Sequence, residues 1–256
     1  MRHGTDDDLI ARGYAVTHPS GTVVLPTAPG WDQLLYASTG VMTVETGGGT
    51  WVVPPHRALW APDGTRYRIV MHGRVAVRTL YLRAELAALP GGPGGPGRLH
   101  AVNVPPLLRE LVVHAVVTSP LYAGTPEHQR LVGVLVDQLR TLRQAPLQLP
   151  RPTDPRARTL ADLLAADPAG RLDLTAAAAE AGASRRTLER VFRAETGLSI
   201  GRWRQRQRLI HALQLLAQGR SVTHVAHAVG YSTPSAFTVM FHAELGATPS
   251  RYFAQP

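Results

Sequence analysis

Apolar and polar positions in the first third of this chain alternate in short runs. Runs rich in Val, Leu, Tyr and Trp occupy residues 33–38, 41–46, 50–53, 57–61, 67–71 and 75–82, and clusters of Gly and Pro separate them. Short runs bounded by turn residues predict β-strands, and six of them predict a small antiparallel barrel or sandwich. The runs at 41–46 and 50–53 enclose three glycines, which predicts a hairpin.

The pattern then changes to a helical period. Apolar residues recur every three and four positions in 106–117 and 126–142, which predicts two amphipathic helices that pack on the barrel or on a second subunit. After residue 154 the whole sequence has a helical pattern, interrupted only by single glycines. We therefore expect an α+β fold of two domains, with an antiparallel β-barrel and a helical pair first and an all-α domain second.

Two segments rich in Pro and Gly supply the boundaries. Residues 90–97 read PGGPGGPG, and residues 144–155 carry four prolines, so neither segment favours a helix or a central strand. We predict a barrel over 1–98, a helical dimerisation segment over 99–143, a flexible linker over 144–153 and a helical domain over 154–256.

One helical unit occurs twice in the last domain, at an offset of 49 residues. The offset pairs Ala177 with Ala226, Ser184 with Thr233, Leu188 with Phe237, Phe192 with Phe241, Gly197 with Gly246 and Trp203 with Tyr252. Ser and Thr are good N-caps, and Pro234 suits a first helical position. A short helix, a tight turn and a capped amphipathic helix form the helix-turn-helix pattern. The alternative is a helical hairpin that serves packing alone.

Positive charge is concentrated in and after the first copy. The net charge is +9, and all 27 basic residues are arginine, a choice that a GC-rich coding bias explains. Such a bias would spread arginine along the chain, yet residues 184–208 contain eight arginines and only two acids. Guanidinium groups on the first turns of a capped helix favour a polyanion partner, in particular the major groove of double-stranded DNA.

The last domain resembles the DNA-binding domain of the AraC/XylS family over residues 174–253. VAHAVGYSTPSAFTVMF (225–241) and LGATPSRYF (245–253) correspond to that family's long and specific signature. The resemblance implies seven helices, with two helix-turn-helix units joined by a central helix over 199–218. It also implies that the two units enter adjacent major grooves about one helical turn apart.

DNA contacts are predicted on three segments. Base readers of the first unit are Arg186, Glu189 and Arg190, with Arg185 and Arg193 on the same face. Phosphate contacts, or alternatively a solvated face, are expected at Arg202, Arg204 and Arg206. The second unit offers Thr233, Ser235, Thr238 and Val239, and Val239 stands where the family commonly has an arginine or another polar reader. We expect shape fit and thymine-methyl contacts there.

The first domain resembles a cupin, the sensor fold of many AraC-type regulators. The cupin spacing is kept from Gly21 to Gly40, but the metal-ligand positions are Thr27, Pro29 and Gln33. A further ligand position is occupied by Tyr67. Because proline has no donor atom and the others are poor substitutes for imidazole and carboxylate, we expect no metal and no cofactor. The predicted pocket, lined by Thr27, Trp31, Gln33, Tyr36 and Tyr67, suits a small organic molecule, or these side chains simply fill the barrel.

These features predict a transcription regulator. We expect a homodimer that binds double-stranded DNA, responds to a small organic effector and, if it is an activator, contacts RNA polymerase. Alternatives are a constitutive DNA-binding dimer, a metal sensor with a relocated site, and a cupin oxygenase or isomerase with a DNA-binding tail. No hydrolase or phosphate-loop motif is present, so we expect no enzymatic activity. The acidic start and the lack of a long apolar run predict a soluble cytoplasmic protein with no membrane partner.

Overall fold

The computed structural model describes residues 8–26, 28–86, 99–142 and 148–254. These residues divide into two compact units: Met1–Val44 with Val53–Pro146, and Glu45–Val52 with Leu147–Pro256. The chain is therefore α+β, as the pattern predicts. The predicted boundary residues of the domains stay predictions, and the segment 90–97 lies outside the described residues.

The first unit is built on antiparallel strands. They are β1 (Leu9–His18), β2 (Val23–Val24), β3 (Trp31–Thr46), β5 (Arg57–Ala61), β6 (Arg68–Arg83), β7 (His100–Asn103) and β8 (Leu121–Tyr122). The strand that follows β3 in the chain, β4 (Gly49–Val53), belongs to the second unit except for Val53. The sheet order is β7-β5-β3-β6-β1-β8, with β2 also paired to β6. β3 and β4 pair as the predicted hairpin, of which residues Glu45–Val52 belong to the second unit.

Two helices cover one face of this sheet: α1 (Pro106–Thr118) and α2 (Pro126–Thr141). Their buried side chains, such as Leu108 and Leu135, pack in one core cluster with Tyr36 of β3 and Leu80 of β6. β1 and α1 approach closely, since a Cβ on Gly13 would lie 2.4 Å from a backbone carbon of Val116. The helical period of the sequence therefore marks the helices that bury this face.

The second unit contains seven helices among its described residues. They are α3 (Pro155–Ala166), α4 (Leu174–Glu180), α5 (Arg185–Thr196), α6 (Ile200–Ala217), α7 (Val222–Ala228), α8 (Pro234–Leu245) and α9 (Pro249–Phe253). A short strand, β9 (Gln148–Pro150), precedes them and pairs with β4. α4–α5 and α7–α8 are the two helix-turn-helix units, and α6 joins them as the central helix.

Each helix-turn-helix unit has its own aromatic packing. Phe192 of α5 is fully buried and meets Trp203 of α6 edge to face, with ring centres 5.9 Å apart. In the second helix-turn-helix, the ring centre of Phe241 lies 5.6 Å from that of Phe237 and 5.5 Å from that of Tyr252. Aromatic pairs in these arrangements contribute about 0.5–1.5 kcal/mol each beyond the area they bury, so they hold the second helix of each unit firmly.

No helix among the described residues is both long enough and apolar enough to span a membrane.

Candidate nucleic-acid interface

The 49-residue repeat is also a repeat of structure. α5 and α8 each have twelve residues, and their first residues are 49 positions apart. The Ser184 hydroxyl accepts the amide of Thr187, and the Thr233 hydroxyl accepts the amide of Ala236. Each helix ends at a glycine in the left-handed region, Gly197 or Gly246. The same local signals therefore start and stop both helices, and both have their apolar stripe against the unit's core.

The outward face of α5 is strongly basic. Leu188 and Phe192 are completely buried on the inner side. Four of the six exposed residues are arginines, namely Arg185, Arg186, Arg190 and Arg193, so four guanidinium groups lie on one helix of twelve residues. Arg186, Arg190 and Arg193 border a shallow depression of about 460 Å³ together with Thr187 and Glu189. A helix with this face can dock on a surface that carries dense negative charge.

Glu189 differs from its arginine neighbours. It is half-buried, and its Oε2 atom lies 3.4 Å from the amide nitrogen of Ile200, the first residue of α6. The carboxylate therefore accepts a long hydrogen bond from the start of the central helix. This contact stabilises the junction between α5 and α6, and it competes with the predicted role of Glu189 in reading a base.

The outward face of α8 is almost uncharged. Ser235 is exposed, and Val239 has 71% of its surface exposed. The Thr238 hydroxyl donates to the carbonyl of Pro234 at 2.9 Å, one turn back along the helix. The contact residues predicted for the second helix-turn-helix thus lie together around the first two turns of α8. They offer methyl groups and hydroxyls and no formal charge.

The three arginines predicted on α6 differ in their surroundings. Arg202 is 70% exposed, and its guanidinium lies 3.8 Å from Glu244. Arg204 is only 15% exposed and donates to the carboxylate of Asp167 at 3.1 Å. Arg206 is half-buried and donates to the backbone carbonyl of Gln148 at 2.9 Å.

The pKa of Arg206 is lower than its usual value, mainly because the guanidinium is partly buried. Of the three α6 arginines that were predicted to contact phosphates, therefore, only Arg202 presents its guanidinium to solvent. Arg204 and Arg206 use theirs inside the second unit, so the phosphate contacts predicted for them do not agree with this geometry.

The predicted linker contains an ordered strand that the sequence did not reveal. β9 pairs with β4 through Gly49 and Pro150, Thr50 and Leu149, and Trp51 and Gln148. The Trp203 indole donates to the carbonyl of Pro150 at 2.8 Å, and Leu149 packs against the core of α3–α5. Residues 148–150 are thus held on both edges, which corrects the expectation of a flexible segment there. Residues 144–147 of the predicted linker lie outside the described residues.

Glu195 is a further positioning residue that the sequence analysis missed. Its Oε2 atom accepts the amides of Thr153 and Asp154 at 2.7 and 3.1 Å, just before α3 begins. These hydrogen bonds, that from Asp154 above all, lower the pKa of Glu195. The repeat contained a signal, because the offset of 49 places Glu195 on Glu244, which accepts from the Gln205 side chain at 3.0 Å.

The first unit contains a hollow at part of the predicted pocket. Its volume is about 390 Å³, and Gln33, Tyr67, Asp63 and Arg66 are among its lining residues. The Tyr67 hydroxyl donates to Gln33 Oε1, and burial raises the pKa of this tyrosine. Two predicted pocket residues, on different strands of the sequence pattern, therefore meet here. Thr27 lies outside the described residues.

The other two predicted pocket residues are placed differently. Tyr36 is 2% exposed and belongs to the core under α1 and α2, so it does not line the hollow. Adjacent strand positions face opposite ways, which separates Tyr36 from Gln33. The Trp31 ring has the guanidiniums of Arg12 and Arg83 over it, at 4.8 and 4.6 Å from the ring centre. Cation–π contacts with these two arginines therefore occupy the indole that was expected to line the pocket.

Among the residues that the structure describes, no group of three or more His, Cys, Asp or Glu side chains is arranged to hold a metal ion.

Comparison with known proteins finds helix-turn-helix transcription regulators among the relatives of this chain. The helix-turn-helix domain family matches residues 177–255. The HTH-type transcriptional regulator NimR of Escherichia coli K12 is 33% identical over 223 residues, which cover 87% of this chain and 80% of NimR. The regulator RipA of Corynebacterium glutamicum is 40% identical over 103 residues, covering 40% of this chain and 31% of RipA. Apo ToxT from Vibrio cholerae aligns with 95% of this chain and 96% of its own, at 12% identity and a TM-score of 0.40.

Proposed function

Because this chain belongs to the AraC family of helix-turn-helix transcription regulators, we propose that α5 and α8 enter adjacent major grooves of one DNA duplex and read its sequence. One observation carries the proposal: two helices of equal length, equally capped and 49 residues apart, each bury one stripe and expose the other, and the first exposes four arginines. A helix that only packed in a bundle would gain nothing from this concentration of charge.

The arginines of α5 have separate tasks in this proposal. Arg186 and Arg190 are four residues apart on one exposed face, and they contact guanine edges through paired hydrogen bonds. Arg185, Arg193 and the exposed Arg202 of α6 contact phosphates. A correct bidentate base contact contributes about 1–3 kcal/mol of discrimination, whereas a phosphate contact strengthens binding to every sequence alike.

Regulation and assembly belong to the first unit. A small organic molecule binds in the hollow beside Gln33 and Tyr67, where a few polar groups fix its orientation. α1 and α2 pair two copies of the chain, since both helices carry apolar residues in contact with solvent, namely Leu107 and Val117 on α1 and Val134 on α2. If the protein activates transcription, RNA polymerase is a further partner.

Selection of duplexes from a random library by the purified full chain tests the DNA-binding proposal. We expect an enriched sequence, and we expect Arg190→Ala to lower the affinity for it by about tenfold or more while relaxing the preference at one base pair. Arg74→Ala is the matched control, because Arg74 is an exposed arginine of the first unit. Equal weakening of Arg190→Ala on all sequences would make Arg190 a phosphate contact, and failure to enrich any sequence would contradict the proposal.

Isothermal titration of candidate metabolites, with and without the selected duplex, separates an effector-controlled regulator from a constitutive one. We expect one class of small molecule to bind the wild type and to bind Tyr67→Phe more weakly. A protein that ignores every metabolite yet binds its duplex would be the constitutive dimer.

A further inference from the structure

The second reading helix presents an apolar group where the first presents a charge. Val239 of α8 occupies the repeat position of Arg190 in α5. It is 71% exposed, and among the described residues 148–254 no other large hydrophobic side chain is exposed. Exposure of a single apolar residue on a helix that is otherwise buried or polar is unremarkable by itself. Its register with Arg190 gives it meaning.

Two of the three hydroxyls near Val239 bond to the backbone of α8, and the third belongs to the exposed Ser235. The Thr233 hydroxyl accepts the amide of Ala236 at 3.2 Å, which caps the helix. The Thr238 hydroxyl donates to the Pro234 carbonyl at 2.9 Å. Because the Thr238 hydroxyl donates its one proton to the helix backbone, it does not donate to a base, while the methyl group on the same carbon can still contact a ligand. The surface next to Val239 therefore offers the methyl group of Thr238 without a competing hydroxyl donor from that residue.

We propose that Val239, supported by the methyl group of Thr238, reads the C5-methyl group of a thymine in the groove that α8 enters. This inference rests on the proposed function and specifies what the second unit recognises. In the major groove, thymine differs from the other bases by this methyl group, and contact with an apolar side chain is how proteins detect it. The duplex site is thus asymmetric: guanines lie under α5 and at least one essential thymine lies under α8.

Replacement of thymine by deoxyuridine tests the proposal, because uracil lacks only the methyl group and pairs identically. The probe is the duplex selected by the full chain. Each thymine in the groove that α8 enters is replaced in turn by deoxyuridine. Burial of one methyl group contributes about 0.8 kcal/mol, so we expect about a fourfold loss of affinity at one or two positions. Thymines outside the base pairs that the protein contacts serve as the control, because their replacement should leave the affinity unchanged.

A variant of the protein, combined with the base replacement, gives a double-mutant cycle between Val239 and the thymine methyl group. Val239→Ala should bind the thymine duplex several-fold more weakly and should no longer distinguish thymine from deoxyuridine at the sensitive position. Val239 is exposed, so its truncation leaves the core unchanged, and circular dichroism verifies the fold. Val23→Ala, an exposed valine of β2, is the matched control and should retain the discrimination.

The results separate this inference from the function on which it rests. If every deoxyuridine duplex binds like the parent while Arg190→Ala still loses affinity, the methyl-reading proposal is overturned and DNA recognition stands. If Val239→Ala keeps the full fourfold discrimination, another residue reads the methyl group and the proposal is equally overturned. If no sequence is enriched at all, both proposals fall.

Discussion

Substitution of Arg204 by methionine distinguishes an internal ion pair from a phosphate contact. The Arg204 guanidinium donates to Asp167 Oδ2 at 3.1 Å and lies 3.3 Å from the Leu172 carbonyl. The two ion-paired side chains are 15% and 20% exposed. Loss of one partner of a fully buried pair costs about 3–5 kcal/mol, and loss of an exposed pair costs about 0–1 kcal/mol. This pair lies between those limits, so we expect a loss of about 2 kcal/mol.

Arg202→Met is the matched control on the same helix. Arg202 is 70% exposed and approaches Glu244 only to 3.8 Å, so its loss should change stability by less than about 0.5 kcal/mol. The DNA-binding assay should give the reverse order. Each phosphate contact contributes about one unit to the slope of log affinity against log salt, so Arg202→Met should lower the slope by about one. Arg204→Met should leave the slope unchanged.

Urea unfolding followed by circular dichroism, and fluorescence anisotropy of a labelled duplex at several salt concentrations, measure the two effects. A normal urea midpoint together with a reduced salt slope for Arg204→Met would refute the ion-pair argument. The pair also has a pH dependence. Partial desolvation raises the pKa of Asp167, but hydrogen bonds from the Leu172 and Arg171 amides and from Arg204 bring it below its usual value. A depressed pKa in the folded state means that this stabilisation is present at neutral pH and is lost as the pH falls below about 4.

Two glycine comparisons provide the remaining predictions. Gly230→Ala should lower the free energy of unfolding by about 3 kcal/mol or more, because its Cβ would lie 1.9 Å from the Ala169 carbonyl oxygen. Gly197 has a similar positive φ but open space around it, so Gly197→Ala should lower the free energy of unfolding by only about 1 kcal/mol. Equal shifts in melting temperature for the two variants would contradict the clash. Gly49→Val should accelerate hydrogen exchange of residues 148–151, since its Cβ would lie 2.5 Å from the Leu149 carbonyl oxygen, while Gly47→Val should not; unchanged exchange would mean that the β4–β9 pairing does not hold this strand.

Local sequence signals predicted the helix-turn-helix units well. The N-caps Ser184 and Thr233, the glycine stops and the apolar residues four apart all act within about one helical turn. The two helices at Pro106–Thr118 and Pro126–Thr141 likewise follow from their apolar period. Such signals depend on neighbours in the chain, so a sequence contains them directly.

Features set by distant contacts were missed. Arg202, Arg204 and Arg206 have the same residue type and similar neighbours, and only the partners Asp167 and Gln148 separate the internal arginines from the exposed one. Strand β9 forms because β4 and Trp203 satisfy its backbone, although its single proline, Pro150, disfavours a strand. Tyr36 was assigned to the pocket because its type suits a ligand, while strand alternation turns it towards α1 and α2.

Hydroxyl-radical footprinting of the full chain on its selected duplex tests the central claim most directly. Two helix-turn-helix units on one face of the DNA predict two protected segments whose centres are about 10 base pairs apart. Arg186→Ala combined with Arg190→Ala should remove the protection under α5 first. A single protected segment, or two segments on opposite faces of the duplex, would contradict the claim that α5 and α8 read adjacent major grooves together.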